Sequence, residues 1–156
     1  MSGEFHTVRG YQLLKQEKSA LTPAMEDYLE MIFRNSGGKG YSRIIEIAGL
    51  LNVKASSATK MVQKLGELGL LQYKKYGMII LTERGREIGE YLLQRHQIIE
   101  EFLRTIGITD NLLVETELIE HNISPGTLLH IDMLRRFFDA YPSLCERLKE
   151  FISDNM

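Results

Sequence analysis

Residues 41–71 read YSRIIEIAGLLNVKASSATKMVQKLGELGLL. Two short amphipathic segments flank a polar turn. Ser42 is expected to cap a helix running to about Leu51, Asn52-Val53-Lys54 to turn the chain, and Ala55 or Ser56 to open a second helix ending near Gly69. Ala58, Met61, Val62 and Leu65 recur at helical spacing and are expected to face inward. Two helices joined by so short a turn form the helix-turn-helix pattern. The next stretch, LLQYKKYGMIILTERG at 70–85, has β-prone runs at Leu70–Lys74 and Met78–Leu81 around a Lys75-Tyr76-Gly77 turn. A hairpin directly after the second helix is a wing.

Working outward, Thr22-Pro23-Ala24-Met25-Glu26 reads as a helix start, with Thr as N-cap and Pro at N1. That helix carries Tyr28, Leu29, Ile32 and Phe33 and is expected to stop near Asn35-Ser36-Gly37-Gly38. Thr82 opens a long helix to about Thr105 or Ile106, with Ile88, Leu92, Ile99, Phe102 and Leu103 as its apolar face and Gly107 as its stop. Further helices are expected at about 110–122, 125–138 and 142–153, the last two parted by Tyr141-Pro142. Residues 9–18 carry only a weak helical pattern. The expected fold is mostly α with a small β-wing. Residues 1–21 are expected to form an N-terminal extension, 22–86 a winged helix-turn-helix domain, and 87–156 a helical dimerisation domain. The dimer is expected from the apolar surplus after residue 98 and from the two-fold symmetry of operators.

The 156 residues carry a net charge of −2, which hides an asymmetry. Residues 39–86 hold nine Lys or Arg against three Glu, whereas residues 87–156 hold six basic and thirteen acidic side chains. A basic segment beside an acidic one predicts two jobs, polyanion contact and cation binding. No apolar run is long enough to span a bilayer, and the N-terminus lacks a signal-peptide pattern. The lone cysteine, Cys145, excludes an intramolecular disulfide, is expected to be a small buried apolar residue, and fits a reducing cytoplasm.

In a helix-turn-helix the second helix enters the major groove and reads bases from its N-terminal turns. Those turns offer Lys54, Ser56, Ser57, Thr59 and Lys60, with Gln63 and Lys64 one turn further along. Small hydroxyls allow close approach to base edges, and lysines meet phosphates. The wing offers Lys74, Lys75 and Tyr76 for backbone contact. The expected partner is double-stranded DNA, because the basic surplus falls on the motif itself.

The segment ELIEH at 117–121 would place Glu117, Glu120 and His121 on adjacent turns of one helical face. Adjacent acids are often only a solvated face, but a divalent cation would also neutralise them. EDYLE in the first helix holds Asp27 and Glu30, and RHQIIEEF in the long helix holds His96 and Glu100. Asp27, Glu30, His96, Glu117, Glu120 and His121 together offer four carboxylates and two imidazoles from three helices.

PAMEDYLEMIF, SSATKMVQKL, GMIILTERG, RHQIIEEFL and ELIEHNIS occur in an order that resembles the diphtheria-toxin-repressor family, and within it the manganese transport regulators. The resemblance spans about 22–138 and implies a homodimer that binds operator DNA when loaded with Mn(II) and represses manganese uptake genes. It implies metal ligands at Asp27, Glu30, His96, Glu117, Glu120 and His121, two ions per subunit, Glu120 shared between them, and the backbone carbonyl of Glu117 as a further donor. The iron-responsive branch has Met at the position of Asp27 and Cys at that of Glu117; the carboxylates here are hard donors that suit Mn(II). Glu100 matches one accessory-site ligand, but Leu113 stands where that site has a His. The chain is too short for the SH3-like domain of larger members, and His6 and His130 match no ligand position. Three other readings compete: an Fe(II)- or Zn(II)-responsive repressor of the same fold, a dinuclear metallohydrolase, and a winged helix that binds only protein. No membrane and no small-molecule substrate is expected, and the protein is expected in the cytoplasm.

Overall fold

The computed structural model describes residues 10–16 and 21–156. His6 and much of the expected extension lie outside these residues. The chain divides into two compact units, residues up to Leu93 and Gln94–Met156. The division falls inside the long helix.

In the first unit, residues 10–16 are helical (α1). Helix α2, Pro23–Ser36, starts as its sequence dictates: Thr22 Oγ1 accepts from the Met25 amide at 3.3 Å, and Pro23 occupies N1. Its buried stripe is Met25, Tyr28, Leu29 and Ile32. Strand β1, Ser42–Arg43, precedes α3, Ile44–Leu50, and α4, Ala55–Glu67. Strands β2, Leu71–Lys74, and β3, Met78–Leu81, complete an antiparallel sheet of order β1-β3-β2. Ala58, Val62 and Leu65 of α4 are buried, while Met61 is half-buried.

Ser42 does not cap α3. It pairs with Ile79 in the sheet, is fully buried, and its hydroxyl donates to Ile32 O at 3.2 Å. The buried carbonyl at the end of α2 is a better partner for this hydroxyl than the first turn of α3, where the Glu46 carboxylate accepts from the Arg43 amide instead. The extension is not detached where it is described. Leu14 is buried, and the Tyr11 ring lies 5.9 Å from that of Tyr91.

Helix α5, Glu83–Thr105, continues into the second unit, where α6 is Leu112–Glu120, α7 Pro125–Ala140 and α8 Pro142–Asn155. Ser124 Oγ accepts from the Thr127 amide, with Pro125 at N1, as its sequence predicts. Ile99, Leu103, Thr116 and Leu128 are buried. Asp132 is also buried, and Arg135 and Arg136 both pair with it at 2.8 Å. Cys145 is half-buried rather than fully enclosed, and His130 is exposed. No helix among the described residues is long and apolar enough to cross a membrane.

Candidate metal centre and nucleic-acid interface

The candidate nucleic-acid face lies in the first unit. Val62 and Leu65 bury one side of α4, which turns Lys54, Ser56, Ser57, Lys60, Gln63 and Lys64 to solvent. Thr59 is half-buried and its hydroxyl donates back to Ala55 O at 2.9 Å, leaving its lone pairs and methyl for contact. Lys74, Lys75 and Tyr76 are exposed on the wing, Tyr76 at 92%. The turn there is a single 3₁₀ turn, Lys75–Gly77, with Tyr76 at φ 62° and Gly77 at φ 70°. Gly77 is required twice over: its φ is left-handed, and a Cβ would stand 2.5 Å from Ile44 Cγ2. Arg43, which motif reading places inside a helix, instead reaches from β1 to donate to Tyr76 O at 3.2 Å.

Among the proposed metal donors, Asp27 and Glu30 lie on α2 in the first unit, both half-buried and three residues apart. Glu30 also accepts from Arg34 at 2.9 Å, an i,i+4 pair.

The second unit brings three donors together. His96 on α5 and Glu120 on α6 are buried, and His96 Nδ1 lies 3.2 Å from Glu120 Oε2. His121 Nε2 lies 3.8 Å from the other oxygen, Oε1. One buried carboxylate thus turns each oxygen to a different imidazole. Glu100 Oε2 is 3.8 Å from His96 Nε2, and its other oxygen is taken by Arg104. The Arg95 guanidinium, 4% exposed, donates to His121 Nδ1 at 3.3 Å. Sequence reading passed over Arg95, although it stands directly before His96; its burial had no signal in the pattern.

Glu117 does not join this group. The buried positions of α6 are Thr116 and Glu120, four residues apart, and one residue beyond Thr116 is ~100° round the helix. The Glu117 side chain is therefore exposed. A buried carboxylate flanked by two imidazoles is a mixed oxygen and nitrogen donor set that fits a divalent first-row cation.

Residues 20–79 match the family described as iron dependent repressor, N-terminal DNA binding domain. Residues 82–153 match its metal binding and dimerisation domain. The HTH-type transcriptional regulator MntR of Oceanobacillus iheyensis is 43% identical over 135 residues, covering 86% of this chain and 92% of the relative. The regulator of the same name from Listeria welshimeri is 43% identical over 129 residues, covering 82% and 91%. Among solved structures, the manganese regulator SloR is similar with a TM-score of 0.65 at 29% identity, over 75% of this chain and 55% of that one. A manganese-dependent transcriptional repressor in complex with manganese is similar with a TM-score of 0.62 at 29% identity, over 70% and 51%.

Proposed function

The chain belongs to the iron-dependent repressor family, and from that membership we propose that it is a Mn(II)-activated transcriptional repressor of metal-uptake genes. Residues 22–86 would form its DNA-binding domain and 87–156 its metal-binding and dimerisation domain, in a cytoplasmic homodimer. The observation that carries the reading is Glu120: buried, with one oxygen toward His96 and the other toward His121. That division supports a carboxylate shared by two ions per subunit.

Asp27, Glu30, His96, Glu120 and His121 would hold the metal through their side chains, and Glu117 through its backbone carbonyl. The exposed Glu117 side chain supports that choice of donor. Bound cations would neutralise these carboxylates. Asp27 and Glu30 belong to the helix that packs against α3 and α4, so metal held by α2 would bear on the placement of α4 within the first unit. Lys54, Ser56, Ser57, Thr59, Lys60 and Lys64, with Lys74, Lys75 and Tyr76 of the wing, would meet the operator. A carboxylate at Asp27 and a backbone carbonyl at Glu117 are hard oxygen donors that favour Mn(II) over softer-liganded Fe(II), and so oxygen-rich a set is unlike the tetrahedral sites of Zn(II). The relatives are named transcriptional regulators, which sets the metallohydrolase reading aside.

The homodimer has its own support. Leu129, Met133, Phe137 and Tyr141 recur every four residues along α7 and at its end, and all four are exposed. A stripe of large apolar side chains open to water calls for a partner surface.

The test is fluorescence anisotropy of a labelled promoter duplex, titrated at fixed ionic strength with Mn(II), Fe(II), Zn(II) or chelator. The expected outcome is an affinity gain of at least about tenfold with Mn(II), within the usual range of coupling between two ligands. Equal affinity with and without every metal would overturn the reading and favour a winged helix serving protein contacts.

A further inference from the structure

We propose that Arg43 is a positioning residue of the wing, holding Lys75 and Tyr76 in the conformation in which they meet DNA. The proposal rests on the reading of α4 and the wing as the DNA face, and it concerns a residue that neither the motif nor the charge pattern singles out.

Three features meet at the wing tip. First, Tyr76 has a left-handed backbone, φ 62° and ψ 27°, which an aromatic residue rarely adopts. Second, its ring is almost wholly exposed, so no packing of the ring compensates for that conformation. Third, the carbonyl of this same residue accepts a hydrogen bond from Arg43 Nη1 at 3.2 Å, across thirty-three residues of chain. Strain at an exposed site persists only when neighbouring structure imposes it. Here Arg43 imposes it from one side. On the other, Gly77 lies against Ile44, close enough that a Cβ would collide.

Arg43 is itself well fixed. Its backbone pairs with Met78 in the sheet, and its amide donates to Glu46. Its guanidinium lies 5.7 Å from the Tyr41 ring centroid, with Lys39 5.5 Å from the same ring. The side chain is thus a strut between the start of α3 and the wing apex. A charged donor on a neutral carbonyl is among the stronger hydrogen bonds available at a surface. Without it the tip would relax toward ordinary turn conformations, and Lys75 and Tyr76 would bind DNA only after reordering.

The test is a double-mutant cycle. Arg43→Met keeps much of the aliphatic stem and the strand pairing but removes the donor. With Mn(II) present, it is expected to weaken duplex binding about 3- to 10-fold, the size of one such bond. The slope of log K against log salt should fall by ~1 as the Lys75 phosphate contact is lost. In a Lys75→Ala/Tyr76→Ala background the same change is expected to cost nothing further, since Arg43 acts through those residues. Amide exchange across residues 75–78 in the free protein should quicken in Arg43→Met, and this readout needs no DNA. Fully additive losses would overturn the proposal and make Arg43 a DNA contact in its own right. Unchanged exchange at the wing tip would overturn it as well. If wild-type protein binds no duplex with any metal, the DNA reading fails by itself, while the exchange arm still reports whether Arg43 holds the wing.

Discussion

Glu120 is the residue on which the proposed metal site turns. Burying a carboxylate is costly unless it is paired, and here the partners are His96 and His121 on opposite oxygens. The sequence pattern alone sets Glu117 and Glu120 side by side on one helical face. Within the second unit the pairing is instead acid to imidazole. Glu120→Gln keeps the shape and a hydrogen-bonding oxygen for His96 but removes the charge. It is expected to abolish metal-activated DNA binding while leaving the metal-free melting temperature close to wild type. His121→Ala, which removes a donor from one side only, should keep half the wild-type Mn(II) stoichiometry and part of the response. Isothermal calorimetry with Mn(II), alongside thermal melts in chelator, reads both. Full stoichiometry and activation in Glu120→Gln would rule out a shared carboxylate.

At the scale of elements, the junction of wing and long helix depends on a glycine. Thr82 Oγ1 donates to Gly69 O at 2.8 Å and accepts from the Gly85 amide, and the Thr82 amide donates to Leu70 O. These bonds press the first turn of α5 onto the start of β2. A Cβ at Gly85 would stand 1.8 Å from Leu70 O, a clash with backbone rather than with a side chain that can swing away. Gly85→Ala is therefore expected to destabilise the first unit by ~3 kcal/mol, at the upper end for overpacking. In urea denaturation the midpoint should fall with an unchanged slope. Since Thr82 and the wing both hang on this junction, DNA affinity should fall with it. A midpoint equal to wild type would show that α5 can shift away from Leu70 without loss.

At the scale of the whole molecule, the proposed function calls for two copies, because an operator with two half-sites would be read by two recognition helices. The exposed stripe on α7 is the surface on which a substitution should act. Phe137 stacks near Phe138 and Tyr141, with centroids 5.7 and 5.0 Å away, yet remains 44% exposed. Phe137→Asp would place a charge among these rings. It is expected to weaken self-association by ~2 kcal/mol, about thirtyfold, as for a central interface aromatic. Sedimentation velocity across a concentration series measures it, and metal-activated DNA binding should decline in parallel. An unchanged dimer would move the interface elsewhere on the second unit.

Much of this protein was legible in local sequence. Thr22-Pro23 and Ser124-Pro125 begin helices because capping and a fixed proline φ act within one turn of chain. The helix-turn-helix and its wing follow from apolar periodicity switching from helical to strand spacing, and the candidate donors on α2, α5 and α6 follow from the family resemblance. What local pattern could not decide was which of several equivalent neighbours is buried. Ser42 became a strand residue rather than a cap because a carbonyl ten residues earlier, in another helix, took its hydroxyl. Glu120 turned inward and Glu117 outward because Thr116 and Glu120 define the buried side of α6. Arg43 came to brace the wing, and Arg95 to lie against His121, through contacts 33 and 26 residues away in the chain. Burial and long-range hydrogen bonds belong to the packed chain, where each polar group must find a partner among segments that sequence order keeps apart.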